Sequence, residues 1–214
     1  MKIYLASGNL HKKQEFQGIF NEHEIVIPAD EGINFDPEET GDSFIANSLI
    51  KAEALWEITK QPVLADDSGI CVDILGGLPG IYSARYSGRN SRQGASDGKK
   101  LQQEERNRLL LEDVAQEISI KNQENRFCRY VCAMVLYLSK DRFYAVQETM
   151  EGELIKDFSL AKGQGGFGYD PIVILPEYKK TVAELSAEEK NIISHRGKAG
   201  KKLQEFLEKV EASK

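Results

Sequence analysis

The stretch Val63-Leu-Ala-Asp-Asp-Ser-Gly69 runs an apolar strand directly into two adjacent carboxylates. In α/β proteins the functional groups follow the carboxyl ends of strands, so this stretch predicts an α/β fold whose chemistry lies at Asp66 and Asp67. Neighbouring carboxylates repel each other unless a cation or a proton offsets their charge, and Mg²⁺ is a common offset because it prefers hard oxygen ligands. A solvated acidic turn explains the same residues, and on this segment alone both interpretations stay open.

The composition excludes several classes of protein. The chain has 214 residues, of which 41% are hydrophobic and 29% are charged, as in ordinary globular proteins. Its net charge of −6 argues against nucleic acid as a partner, because binding a polyanion requires a basic surface. No apolar run of the sequence approaches the ~20 residues of a membrane helix, so we expect no membrane attachment.

The cysteines and the first residues bear on location. Cys71, Cys128 and Cys132 form neither a CxxC pair nor an even disulfide framework. We interpret them as small buried side chains in a reducing compartment. Residues 1–6 enter an apolar strand at once, which predicts that the chain has no signal peptide. The expected location is the cytoplasm.

The order of predicted elements indicates a mixed sheet. In the first half, strands and helices alternate, with a long helix capped by Asp42, strand pieces on either side of the acidic turn, and a helix over 99–119. In the second half, two long strand-like runs form a hairpin signal, Ser186 and Glu189 form a capping box, and a last helix follows Gly197. We therefore expect an α/β protein with a mixed central β-sheet flanked by helices, folded as a single domain over 1–214 with two lobes around a substrate cleft.

A candidate phosphate site precedes the first helix, in the segment 7–12 with sequence Ser-Gly-Asn-Leu-His-Lys. Backbone N–H groups at a helix N-terminus bind anions, and Gly8 lets the chain approach a phosphate closely. Lys12 adds a positive charge to the first helical turn. An ordinary strand-to-helix turn with a surface lysine is the alternative.

Glu39 and Lys51 flank the start of the long helix and extend the polar set. Lys51 is four residues from Asn47, so both side chains lie on one helix face and can line a groove near the carboxylates. Solvated side chains explain these residues as well, since acids favour helix N-termini in any case.

A glycine-rich loop and the segment after it complete the candidate site. Residues 165–171, Gly-Gly-Phe-Gly-Tyr-Asp-Pro, interleave glycines with two aromatic rings, which suits stacking on a planar base. Asp170 can accept a hydrogen bond from a ring N–H. The alternative is a connector whose aromatic rings fill the core. His195 and Arg196 fall at the end of a predicted helix, where they either complement the helix dipole or donate to a phosphate or a base.

In this order the motifs resemble the inosine triphosphate pyrophosphatase family, and the resemblance covers nearly the whole chain. The matching motifs are SGN-x-x-K at 7–12, EETG at 38–41, F-x-x-N-x-x-x-K-A at 44–52, ADDSG at 65–69, GGLPGIYSARYSG at 76–88, GGFGYDP at 165–171, and AEL followed by EEKN-x-ISHRGKA within 183–199.

The resemblance implies a Mg²⁺-dependent enzyme, usually a homodimer with an elongated sheet, that hydrolyses ITP, dITP and XTP to the monophosphate and pyrophosphate. It implies that Glu39, Asp66 and Asp67 hold the metal, and that Asp67 also activates water. The remaining implied contacts are to the phosphates, from Ser7, Gly8, Asn9, Lys12, Lys51 and Ser68, and to the base and sugar, from Phe167, Gly168, Tyr169, Asp170, Lys190, His195 and Arg196.

Hydrogen-bond chemistry agrees with a purine substrate. Hypoxanthine and xanthine carry a keto acceptor where adenine carries an amino donor, so donors from His195 and Arg196 would discriminate between them. Two alternatives stay open: a Maf-like pyrophosphatase for other modified nucleotides, and a nucleotide sensor without turnover. A sensor does not need a carboxylate that activates water, which favours the enzyme.

Overall fold

The computed structural model describes residues 1–89 and 101–212, and within them seven strands form one sheet in the order β2-β1-β3-β4-β5-β6-β7. The strands are β1 (Lys2–Leu5), β2 (Glu24–Val26), β3 (Val63–Val72), β4 (Phe127–Ser139), β5 (Arg142–Leu154), β6 (Val173–Leu175) and β7 (Lys180–Thr181). The α-helices are α1 (Leu10–Ile19), α2 (Phe44–Thr59), α3 (Gln103–Lys121), α4 (Ala187–Ile193) and α5 (His195–Ala212).

The sheet is mixed, which confirms the predicted fold class. β1 pairs in parallel with β2 and with β3, and the connections through α1 and α2 make this part of the sheet an α/β arrangement. β6 pairs antiparallel with both β5 and β7. β4 and β5 are neighbours joined by residues 140 and 141 alone, so they form the predicted hairpin. No helix in the described part of the chain is long and apolar enough to cross a bilayer.

The chain folds as two compact units, and β3, β4 and β5 each contribute residues to both. The first unit consists of Met1–Asp67, Cys132–Glu148 and Asn191–Lys214, and the second consists of Ser68–Val131 and Thr149–Lys190.

The first unit buries apolar side chains on both faces of its strands. Successive residues of a strand point to opposite faces. Accordingly, Ile3 and Leu5 of β1 join a cluster with residues of α1 and α5, whereas Tyr4 joins a separate cluster with residues of α2. Leu64 and Val63 of β3 divide between the same two clusters. The faces on which Asp66 and Asp67 lie follow from this alternation.

In the second unit, α3 buries one stripe of apolar side chains, Leu110, Leu111 and Val114. The helix contacts two short 3₁₀ turns, Asp73–Leu75 and Phe158–Leu160. The predicted helix over 99–119 is present from Gln103 onward, and its predicted residues 99 and 100 lie outside the described residues. The capping box of α4 is confirmed, since Ser186 and Glu189 each accept a hydrogen bond from the other's backbone N–H.

Three local predictions were wrong. β3 runs unbroken from Val63 to Val72, so the acidic residues lie within a strand and not in a turn, because buried basic partners remove their need for water. The N-cap of α2 is Ser43, whose hydroxyl accepts the Ala46 N–H at 3.3 Å, and not Asp42. α5 begins at His195 and not after Gly197. Gly197 therefore lies inside the helix, where any side chain would collide with the Asn191 carbonyl of α4.

Candidate active site

Asp66 and Asp67 lie in the middle of β3 and face opposite sides of the sheet. Their contacts follow this geometry. Asp66 meets residues of α1 and α5, which cover one face, and Asp67 meets residues of α2, which covers the other. Both carboxylates are buried, with exposed fractions of 1% and 8%. The two carboxylates therefore have separate surroundings although they are adjacent in sequence.

Asp66 is neutralised by two cations. Lys12 Nζ lies 2.8 Å from Asp66 Oδ1, and Arg196 Nη2 lies 3.0 Å from Oδ2. Arg196 also pairs with Glu15 of α1, so its guanidinium bridges two carboxylates. Burial opposes ionisation of Asp66, but the charges of Lys12 and Arg196 outweigh it and hold the pKa of this carboxyl well below its usual range. Asp66 is thus ionised at neutral pH.

Asp67 lies in a less compensated environment. Asn47 Nδ2 donates to Asp67 Oδ2 at 3.1 Å, whereas the ammonium of Lys51 is 3.9 Å from Oδ1. Lys51 is closer to Glu39, at 2.9 Å from Oε1. Burial raises the pKa of Asp67, and Lys51 and Asn47 only partly oppose that shift. A carboxylate in this setting accepts a proton more readily than an exposed one.

The loop that carries Glu39 is attached to α2 through Gly41. The Gly41 N–H donates to Asn47 Oδ1 at 2.9 Å, and a Cβ at Gly41 would lie only 2.7 Å from both Ala46 Cβ and Asn47 Oδ1. Glycine is therefore required for this close approach. Since a backbone N–H occupies the oxygen of the Asn47 amide, its nitrogen is the end that faces Asp67.

The candidate phosphate turn adopts a capped helix start. Asn9 is the N-cap of α1, and its Oδ1 accepts the N–H groups of His11 at 2.9 Å and Lys12 at 3.3 Å. Ser7 Oγ accepts the Asn9 N–H at 3.1 Å. A Cβ at Gly8 would meet no atom within 4 Å, so space is open above this residue.

Asp170 holds the glycine-rich loop of the second unit from inside. Its Oδ1 accepts from the Tyr130 hydroxyl at 3.0 Å, and its Oδ2 accepts from the Phe167 N–H and from Lys190 Nζ, each at 2.9 Å. Gly166 has a φ of +75°, and a Cβ there would collide with the Asp170 carboxylate. The carboxylate that the sequence offered to a base thus takes part in the loop's own hydrogen bonds.

The two aromatic residues of this loop differ in their exposure to solvent. Tyr169 is buried, and its hydroxyl donates to the Ser83 carbonyl at 2.8 Å. Phe167 is partly exposed, with Lys190 Nζ 4.9 Å from its ring centroid, a cation–π distance. Of the two aromatic residues, Phe167 is the more exposed.

The structure brings most of the predicted site residues into three groups and leaves the others apart. In the first unit Lys12, Asp66 and Arg196 meet on one face of β3, while Glu39, Lys51 and Asp67 meet on the other; in the second unit Phe167, Asp170 and Lys190 meet in the glycine-rich loop. Ser68 follows Asp67 in β3 and is half-buried, and His195 is buried in the first turn of α5.

Sequence reasoning missed three residues that hold these groups. Glu15 lies one helical turn after Lys12, a spacing that places both on one face of α1 and was the available signal. Asn47 was noted only as a neighbour of Lys51. Tyr130 lies in a long apolar strand and gave no signal.

No three His, Cys, Asp or Glu side chains converge on a metal-sized point within residues 1–89 and 101–212. Glu39, Asp66 and Asp67 therefore do not form a closed ligand set by themselves.

Comparison with known proteins places the chain in one family. The Ham1 family model matches residues 3–206. The dITP/XTP pyrophosphatase of Treponema denticola is 50% identical over 208 residues, which are 97% of this chain and 98% of that protein. The dITP/XTP pyrophosphatase of Escherichia coli K12 is 40% identical, covering 96% and 98%.

A solved structure agrees with the sequence comparison. The structure of a HAM1 protein from Coxiella burnetii matches with a TM-score of 0.81 at 32% identity, over 98% of this chain and 99% of that chain. The family suggested by the motifs is thereby confirmed, and the chain belongs to the Ham1 family.

Proposed function

We propose that this chain hydrolyses the deaminated purine nucleoside triphosphates ITP, dITP and XTP to the monophosphate and pyrophosphate, and so removes them from the nucleotide pool. The observation that carries this proposal is the 50% identity, over 97% of the chain, to a protein named for dITP and XTP. The similarity includes the carboxylates of β3 and the glycine-rich loop, so we expect the same reaction and the same class of substrate.

Asp67 is the general base in this proposal. Its burial raises its pKa, and Asn47 fixes the orientation of its carboxylate through Oδ2. A base with a raised pKa takes a proton from water more effectively than an ordinary carboxylate. Asp66 is unsuited to that role, since Lys12 and Arg196 hold it ionised.

Glu39 and Asp67 fit a divalent cation. Both carboxylates approach a single cation, the ammonium of Lys51, at 2.9 and 3.9 Å. Mg²⁺ commonly binds through one or two protein carboxylates, with phosphates and water at its other positions, so this pair needs no third protein ligand. Bound there, Mg²⁺ would offset the negative charge that develops on the phosphates. For Asp66, a metal contact is supported by the resemblance alone.

The triphosphate is assigned to the turn 7–12 with Lys51 and Ser68, and the base to residues 167–170 with Lys190 and His195. The start of α1 supports the first assignment, because a helix N-terminus attracts anions and the space above Gly8 is open. The partial exposure of Phe167 supports the second. These assignments follow the family's motifs residue by residue.

Arg196 is better suited to positioning Asp66 than to recognising the base. Its Nη2 and Nε lie 3.0 and 3.3 Å from Asp66 Oδ2, and Nη1 pairs with Glu15. A guanidinium that bridges two carboxylates has few donors left for a substrate. We expect Arg196 to act through the orientation of Asp66 and Lys12.

A cytoplasmic homodimer completes the proposal. The free cysteines Cys71, Cys128 and Cys132 are buried, which suits a reducing compartment. Dimerisation is supported by the resemblance, and sedimentation equilibrium of the purified chain tests it.

The proposed function is tested by assaying pyrophosphate and orthophosphate release from ITP, XTP, GTP, ATP and dTTP, with and without Mg²⁺. Metal-dependent release of pyrophosphate from ITP and XTP, with little from ATP, is the expected result. Orthophosphate would indicate a terminal phosphatase instead, and tight binding of ITP without any release would indicate a sensor.

A further inference from the structure

A side chain near the N-terminal end of α3 holds the glycine-rich loop. Asn107 is 3% exposed, and its Nδ2 donates to the Gly168 carbonyl at 3.1 Å. Both residues belong to the second unit. No motif found in the sequence includes Asn107, so nothing above assigns it a role.

A chain of donors that begins at Arg106 fixes the orientation of the Asn107 amide. A guanidinium has only donors, so the atom of Gln103 that lies 2.9 Å from Arg106 Nη1 must be its oxygen. The other end of the Gln103 amide, Nε2, then donates to Asn107 Oδ1 at 2.8 Å. This leaves Nδ2 of Asn107 as the atom that faces Gly168. The direction of these hydrogen bonds cannot reverse, because the first donor is the buried guanidinium of Arg106, which cannot accept a hydrogen bond.

The carbonyl held by Asn107 decides where the next N–H points. The Gly168 C=O and the Tyr169 N–H belong to one trans peptide and point in opposite directions. The Tyr169 N–H therefore points away from Asn107, and within the described part of the chain it donates to no backbone carbonyl. The bond from the Tyr169 hydroxyl to Ser83 keeps this residue from turning.

We propose that Asn107 is a positioning residue for base recognition, which through the Gly168 carbonyl presents the Tyr169 N–H to the keto oxygen of a deaminated purine. An N–H in this position pairs with a keto group but meets a second donor in the amino group of adenine. The inference rests on the proposed function and deepens it, since it adds a specificity-determining residue to those named in the sequence motifs.

Gln103→Glu is the sharpest test, because it breaks the donor chain at constant side-chain size. A carboxylate at position 103 accepts from Arg106 but cannot donate to Asn107, so the Asn107 amide turns and directs its oxygen at the Gly168 carbonyl. We expect KM for ITP to rise about tenfold and the ITP-to-ATP ratio of kcat/KM to fall about tenfold. The kcat for ITP should change less than about threefold, since the chemical step is not touched.

In Gln103→Glu the new carboxylate forms an ion pair with Arg106, so the variant should stay folded. A rise in KM can then be distinguished from unfolding. Thermal unfolding of Gln103→Glu should occur at or above the wild-type temperature, while recognition weakens. The matched control is Gln116→Glu on the same helix, where Oε1 also accepts from an arginine, Arg89, at 2.8 Å, and where kinetics should stay unchanged. Asn107→Leu removes the side-chain N–H that donates to the Gly168 carbonyl and should also raise KM for ITP.

Wild-type release of pyrophosphate from ITP is measured first, and its absence would overturn the proposed function together with this inference. With an active wild type, an unchanged KM and ITP-to-ATP ratio in both Gln103→Glu and Asn107→Leu would overturn the inference alone. Equal changes in Gln116→Glu, or a fall in kcat at constant KM, would also overturn it.

Discussion

Two neighbouring carboxylates acquire different chemistry through strand geometry alone. Asp66 and Asp67 point to opposite faces of β3, so one meets Lys12 and Arg196 while the other meets Asn47 and a more distant ammonium. Their pKa values consequently shift in opposite directions. Pairs of titratable groups separated in this way commonly divide catalytic roles, and here Asp67 is the one suited to exchange a proton.

Asp67→Asn should reduce turnover of ITP by at least about a hundredfold, because an amide cannot accept a proton from water. The fold should persist, since the amide keeps the size of the side chain. Steady-state kinetics and circular dichroism measure both effects, with the exposed Asp141→Asn as the matched control. Substantial residual activity in Asp67→Asn would remove Asp67 from the role of base.

The pH dependence of stability should identify Asp66. Its pKa is lowered in the folded protein, so its stabilisation is fully present above the unfolded-state pKa of about 3.9 and is lost as the pH falls further. In metal-free protein, Asp66→Asn should cost roughly 3–5 kcal/mol at pH 7, because it leaves buried cations underpaired. Urea unfolding between pH 7 and pH 2 should show a smaller loss of stability in the variant than in wild type. Parallel curves would contradict this account.

Among the helices and strands, those that depend on neighbouring residues in the sequence were predicted correctly. The α1 helix, the hairpin of β4 and β5, and the capping box of α4 depend on neighbouring residues and were foreseen. The continuity of β3 was not, because the partners that neutralise Asp66 lie 54 and 130 residues away in sequence. The polar face of α2 with Asn47 and Lys51 was predicted from their spacing, but the hydrogen bond from Asn47 to Asp67 was not, since only the fold brings these two side chains together.

Because α5 begins at His195, Arg196 lies near a helix N-terminus and not at the C-terminal end that the sequence predicted. Near a helix N-terminus a cation opposes the helix dipole, and here Asp66 and Glu15 offset that cost. Arg196→Ala should therefore lower kcat for ITP and ATP by the same factor, because Asp66 and Lys12 lose their anchor. A lower ratio of kcat/KM for ITP to kcat/KM for ATP would contradict this and would assign Arg196 to recognition of the base.

The glycine-rich loop should tolerate no side chain at Gly166. Gly166→Ala adds a collision with Asp170 to the strain of a left-handed φ, so KM for ITP should rise roughly tenfold and the unfolding temperature should fall. Gly76→Ala is the control, because its φ is +66° and its Cβ would meet no atom within 4 Å. It should cost only the conformational strain of about 1 kcal/mol and leave KM unchanged. Equal KM effects in both variants would argue against the Asp170 contact.

At the scale of the whole molecule, the two units carry separate parts of the proposal. The first unit holds the charged groups around β3, and the second holds the glycine-rich loop with α3 behind it. Similarity to the Treponema denticola protein extends over 97% of the chain and therefore includes both parts. The proposed reaction rests on that similarity, and the proposed roles of individual residues rest on the motifs together with the contacts.

In the proposed reaction, water attacks the α-phosphorus of a deaminated purine triphosphate. The direct measurement is hydrolysis of ITP in H₂¹⁸O with Mg²⁺, followed by mass spectrometry of the products. We expect one ¹⁸O in the inosine monophosphate and none in the pyrophosphate. Labelled pyrophosphate would mean attack at the β-phosphorus, and orthophosphate would mean cleavage of the terminal bond; either result would contradict the account.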